Sequence, residues 1–84
     1  MNNRTHKLKI LEDFARDIVM KRKTFEVRKN DRGFQTGDDV EFTCIGNPNH
    51  TINFMKFEIT YVLNGWGIKQ GYVVFGIKEK EYTE

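Results

Sequence analysis

One cysteine, Cys44, leaves the chain unable to form an internal disulfide and gives it no cysteine framework for a metal. One proline, Pro48, and the absence of repeats or low-complexity segments set it apart from linkers and disordered tails. No stretch is long and apolar enough to span a bilayer, so no membrane partner is expected. Residues 1–7 lack the apolar run of a signal peptide, and the expected compartment is the cytoplasm. No G-x-x-x-x-G-K-S/T loop is present to cradle phosphates. His6 and His50 have no Cys, Asp or Glu at ligand spacing, so no metal and no cofactor are expected.

What remains is a chain of 84 residues, 38% hydrophobic and 31% charged, with room for one folded domain and no second core. A domain of this size has a stability of roughly 4–13 kcal/mol. A monomer is expected. The net charge is only +2, but it is unevenly spread. Residues 1–32 carry ten Lys or Arg against five Asp or Glu, and residues 33–84 carry four against seven. Such a lopsided field steers polyanions to one side of a small protein, although it also fits a plain solvated basic face.

Hydrophobic spacing gives the elements. Leu8 and Ile10 alternate with Lys7 and Lys9 in a short first strand or extended lead-in. Leu11, Phe14, Ala15, Ile18 and Val19 follow the spacing of an amphipathic helix and are expected to form its buried stripe. Glu12, Asp13 and Asp17 lie toward its start, and Lys21, Arg22 and Lys23 toward its end, which complements the helix dipole. The period then changes to two. Residues 24–29, 40–44, 55–63 and 72–77 read as strands, broken by turns at Gly37-Asp38, residues 46–50 and residues 64–71. The charged tail, residues 78–84, is expected to fray. One helix and about five strands make an α+β domain. An open sheet leaves unpaired edges, so a partly closed β-barrel with the N-terminal helix covering one end is expected.

The stretch Lys23-Thr24-Phe25-Glu26-Val27-Arg28 carries the candidate site. Read as a strand, it sends Phe25 and Val27 to one face, the expected core side, and Thr24, Glu26 and Arg28 to the other. Glu26 and Arg28 stand two apart on that face. Together they can read a base edge, the guanidinium donating and the carboxylate accepting, or form a structural ion pair. Lys21, Arg22, Lys29 and Arg32 flank the strand and can contact phosphates without sequence preference. Trp66, between two glycines and near Lys69, is expected to plug the barrel end, with base stacking as the alternative. Tyr61 and Tyr72 are expected at the core edge, each with a wet hydroxyl. Cys44 alternates with Val40 and Phe42 and reads as a buried, inert thiol.

Residues 21–28 resemble the G-x-K-x-x-E-x-R signature of the ASCH (activating signal cointegrator homology) domain. Lys23, Glu26 and Arg28 take its last three fixed positions, and Lys21 stands where the signature has glycine. The downstream Phe34-x-x-Gly37-Asp38 and the run Gly71-Tyr72-Val73-Val74-Phe75 are also similar to this family, over residues 6–78 in all. The closest likeness is to short stand-alone members, many of them bacterial or phage-borne. The resemblance implies a PUA-like β-barrel that binds RNA in a cleft beside the helix, lined by Lys23, Glu26 and Arg28. Some ASCH-like proteins are instead small amidohydrolases acting on acetylated cytidine through a lysine, a threonine and a glutamate. Lys23 matches the lysine, but Glu26 stands where the threonine is expected.

Three functions are therefore open. The first is an RNA-binding module, with single-stranded or loop RNA the favoured target because its base edges are accessible. The second is a small hydrolase of a modified nucleoside, using Lys23 with Glu26 as general base and Thr24 as a weaker candidate. The third is an accessory factor that binds another protein.

Overall fold

The computed structural model describes residues 3–81 and has one helix and five strands. In chain order these are β1 (Thr5–Ile10), α1 (Glu12–Val19), β2 (Phe25–Lys29), β3 (Asp39–Cys44), β4 (Phe57–Leu63) and β5 (Tyr72–Glu79). A single 3₁₀ turn, Thr51–Phe54, precedes β4 and was not foreseen from the spacing. The strands form one mixed sheet in the order β1-β3-β4-β5-β2. Only the β1–β3 pairing is parallel, and the sheet curls into a half-barrel. Among the described residues no helix is long and apolar enough to cross a membrane.

Strict alternation drives β1, where His6, Leu8 and Ile10 are buried and Thr5, Lys7 and Lys9 exposed. Val40, Phe42 and Cys44 of β3, Ile59 of β4, and Val73, Phe75 and Ile77 of β5 complete the inner face. Ala15 and Ile18 of α1 and Ile52 of the 3₁₀ turn pack into the same core. The strand β5 runs two residues further than the spacing suggests, through Lys78 and Glu79, and Lys80 bonds Asp39 at 3.0 Å. The expected fraying therefore does not begin at residue 78; Tyr82, Thr83 and Glu84 lie outside the described residues.

The helix ends in a Schellman motif. Lys21 N–H donates to Ile18 C=O and Arg22 N–H to Asp17 C=O, at 3.0 and 2.8 Å. This geometry requires a left-handed residue after the C-cap, and Lys21 adopts φ +64°. Glycine holds that conformation without the Cβ clash, so Lys21→Gly is expected to stabilise the fold by about 0.5–1 kcal/mol. Urea denaturation checks it: a lower midpoint at unchanged slope would contradict it.

The two edge strands, β1 and β2, have no ladder between them. Arginines span the gap instead. Arg28 Nη2 donates to Lys9 C=O at 2.9 Å, Arg32 Nη1 to Lys7 C=O at 3.0 Å, and Arg4 Nη2 to Gly33 C=O. Below this seam His6 Nε2 donates to Asp38 Oδ2 at 2.8 Å, with both side chains buried. His6 also stacks on Phe34, ring centroids 4.7 Å apart.

Candidate functional site

The strand β2 is turned over relative to the expectation from its alternation. Glu26 is buried and Arg28 half-buried on the inner face, while Phe25 and Val27 are 44% and 53% exposed. The reason lies in the partners. Glu26 sits between Lys23 and Arg28, which satisfy both its oxygens, so burying it leaves no unpaired charge. Phe25 and Val27 then face outward at the mouth of the gap between β2 and β1.

The contacts are dense. Arg28 Nε donates to Glu26 Oε2 at 2.8 Å, and Arg28 Nη2 lies 2.7 Å from the same oxygen. Lys23 Nζ donates to Glu26 Oε1 and, at 2.7 Å, to Phe25 C=O. Lys23 Nζ also lies 5.2 Å and 5.1 Å from the ring centres of Phe14 and Phe25, within cation–π range of both. The Glu26 side chain is only 5% exposed, against 17% for Lys23 and 25% for Arg28. Glu26 is thus the anchor, and the two cations are what a ligand meets.

These residues form the floor of a cleft of about 500 Å³. Lys9 adds a third cation to its lining. The walls are Leu11, Phe14, Phe25, Val27 and Ile45. Nine large hydrophobic side chains are exposed among the described residues, and five of them are these walls. That concentration makes the cleft a candidate site, since scattered exposed apolar residues are ordinary and clustered ones are not. Three cations beside one carboxylate, between apolar walls, suit a flat ring carrying an anionic group.

The other candidate residues disperse. Lys21 and Thr24 line a separate cleft of about 450 Å³ that shares only Lys23 with the first. Thr24 therefore does not face the Glu26 carboxylate, as its parity on the strand suggested. Arg22 is paired with Asp17 at 2.9 Å. Arg32 serves the seam, and Lys29 is exposed at the end of β2. Trp66 and Lys69 belong to the β4–β5 loop, joined to the far end of β2 by Asn30 N–H donating to Gly71 C=O. Trp66 is 91% exposed and plugs nothing, because its loop projects away from the core. Tyr61 is likewise on the surface, 66% exposed. Cys44 is buried as expected; burial, and secondarily Glu12, pushes its thiol up, away from the thiolate a nucleophile needs.

The spacing missed Lys9 and the apolar walls. Leu11 and Phe14 were expected in the core and are 57% and 47% exposed. An eight-residue helix buries only a narrow stripe, Ala15 and Ile18, and the leading edge of its apolar face is left for the cleft. The His6–Asp38 pair was also invisible, because its members lie 32 residues apart.

A five-stranded half-barrel with one helix and an apolar cleft floored by cations is a small α+β domain in form. The chain belongs to the family of the domain of unknown function DUF3850, whose model matches residues 5–77. No curated protein matches it.

Proposed function

We propose that the protein is an RNA-binding module of the ASCH type, with a PUA-like barrel whose helix closes one end. It takes one unstacked nucleotide of single-stranded or loop RNA into the cleft between β2 and α1. The observation that carries this is the meeting of Lys23, Glu26 and Arg28 on the floor of one apolar-walled cleft. The base lies against Phe14, Phe25 and Leu11, and the phosphate meets Lys9, Lys23 and Arg28. Glu26 holds the two floor cations in place before the ligand arrives, which lowers the ordering cost of binding. The ASCH likeness gains support from Lys21. It occupies the signature's glycine position, and its backbone lies in the left-handed region that glycine favours.

A nucleoside amidohydrolase draws less support. Lys23 and Glu26 touch, but Thr24 lines a different cleft.

Fluorescence anisotropy with single-stranded RNA, duplex RNA and matching DNA across a salt series tests the proposal. Micromolar or tighter binding at physiological salt is expected, with single-stranded RNA preferred. Three phosphate-contacting cations give a slope of log affinity against log salt of about −2, at about −0.7 per contact. Arg28→Ala is expected to weaken binding at least tenfold, as loss of a charge-assisted contact of about 1.5–3 kcal/mol requires. Absence of binding at low salt would overturn the proposal, and would send the search to modified nucleosides.

A further inference from the structure

The outer face of β2, β5 and β4 is not covered by a helix among the described residues. Residues paired directly across strands share a face. Phe25, Gly76 and Tyr61 therefore lie abreast; Val27, Val74 and Leu63 form the next row; Lys29 and Tyr72 form the third. Tyr61 is 66% exposed, and Phe25 and Val27 are 44% and 53% exposed. Between Phe25 and Tyr61 stands Gly76, where a Cβ would come within 2.7 Å of Thr60 Oγ1. The Thr60 hydroxyl thus lies over Gly76, and a shallow trough about 10 Å wide, two strand spacings, runs above it between the two aromatic side chains.

Charge selects what fits this trough. Lys29 and Lys78 lie on the face, and Lys69 reaches it from the loop, its Nζ 5.2 Å from the Tyr72 ring centre. Glu58, opposite Lys78, and Asp39, opposite Glu58 on β3, are the acidic residues at the far end of this face. Exposed aromatics on a sheet among lysines form a stacking platform for single strands, since every base has a π face and every link a phosphate. The face is also continuous with the cleft, because Phe25 and Val27 belong to both.

We propose that this face is the second half of the binding site, over which the nucleotides flanking the one in the cleft run, with a base stacked on Tyr61 and phosphates at Lys29 and Lys69. This rests on the RNA-binding reading and extends it from a single pocket to a track of several nucleotides.

The test compares labelled oligouridines of three and ten nucleotides on the intact chain. The decamer is expected to bind more tightly than the trimer beyond the statistical gain of its extra registers. Tyr61→Ala is expected to weaken the decamer by about five- to 150-fold, the factor that corresponds to one stacked base at about 1–3 kcal/mol. The trimer, which has one nucleotide in the cleft and at most two on the face, is expected to lose less than the decamer in this variant. Tyr61 is exposed, so an unchanged melting temperature confirms that the variant folds. Arg28→Ala separates the two proposals. If Arg28→Ala weakens both oligonucleotides and Tyr61→Ala weakens neither, the track is overturned and the cleft stands. If neither oligonucleotide binds the wild type, both fall. Wild-type dimerisation abolished by Tyr61→Ala would overturn the track by assigning the face to a second copy.

Discussion

Replacing Glu26 by glutamine is expected to lower stability by about 2–4 kcal/mol and to abolish RNA binding at the same time. Removing one member of a buried ionic cluster typically costs about 3–5 kcal/mol, because the remaining charges stay desolvated without a partner. Here two cations share the one carboxylate, and both are partly wet, at 17% and 25% exposure, which tempers the loss. Binding fails for a related reason. Without the carboxylate, Lys23 and Arg28 repel each other and leave the geometry that the phosphate needs. Urea denaturation and anisotropy on the same sample measure both effects. A stability change below about 0.5 kcal/mol would show that Glu26 organises nothing. The triple replacement Lys23→Met, Glu26→Met, Arg28→Met separates the two roles. Exchanging a whole buried ionic cluster for apolar residues of similar volume is often neutral or stabilising. This variant is therefore expected to fold and not to bind.

The second large effect is at Asp38. Its carboxylate accepts from His6 Nε2 at 2.8 Å, from Gln35 N–H at 3.2 Å and from Arg4 N–H at 3.3 Å. Asp38→Ala strands the buried His6 donor at about 1–3 kcal/mol and deprives two part-buried backbone N–H groups of their partner, a total of about 3–5 kcal/mol at most. Against a total stability of roughly 4–13 kcal/mol, that brings the protein to the margin of folding. Burial raises the Asp38 carboxyl, but the His6 bond and the two backbone donors outweigh it and hold the group below the usual carboxylate range. The unfolded chain therefore binds this proton more readily than the folded one. The stabilisation is complete above about pH 4, the ordinary aspartate value, and is lost as the pH falls through the depressed folded value. Melting temperatures between pH 2 and 7 are expected to show this acid limb in the wild type and a reduced one in Asp38→Asn. Parallel curves for the two proteins would remove Asp38 from the acid response.

Much of the architecture was legible in the spacing. Alternation located all five strands to within a few residues, and the i, i+3, i+4 pattern located the helix. What alternation cannot tell is which face of a strand is inner. In β2 the apolar residues Phe25 and Val27 made the conventional choice, and the structure takes the other one. One buried carboxylate is satisfied there by two half-buried cations, and two hydrophobic side chains face outward into the cleft. The site triad was legible as a constellation because its members are close in sequence. Lys9 and Ile45 were not, because they reach the cleft from β1 and from the residue after β3. The seam and the His6–Asp38 pair join segments about 20–30 residues apart, and no local pattern encodes such a distance.

The antiparallel pairing of β2 with β5 also governs the order of folding. Thr5 pairs with Asp39 and Ile10 with Cys44, so the first strand leaves the ribosome 34 residues before its partner. The β4–β5 hairpin closes a shorter loop, but β2 pairs with β5 across 43 residues at Lys29–Tyr72 and 51 at Phe25–Gly76. Closing a loop costs entropy that grows with its length, and non-local pairings slow folding toward the millisecond-to-second range. β2 is therefore the last strand to dock, and until it does the arginine seam cannot form and the cleft has no second wall. Before that the sheet is a four-stranded β1-β3-β4-β5 intermediate with an open β5 edge, able to take the β2 strand of a neighbouring molecule at high concentration.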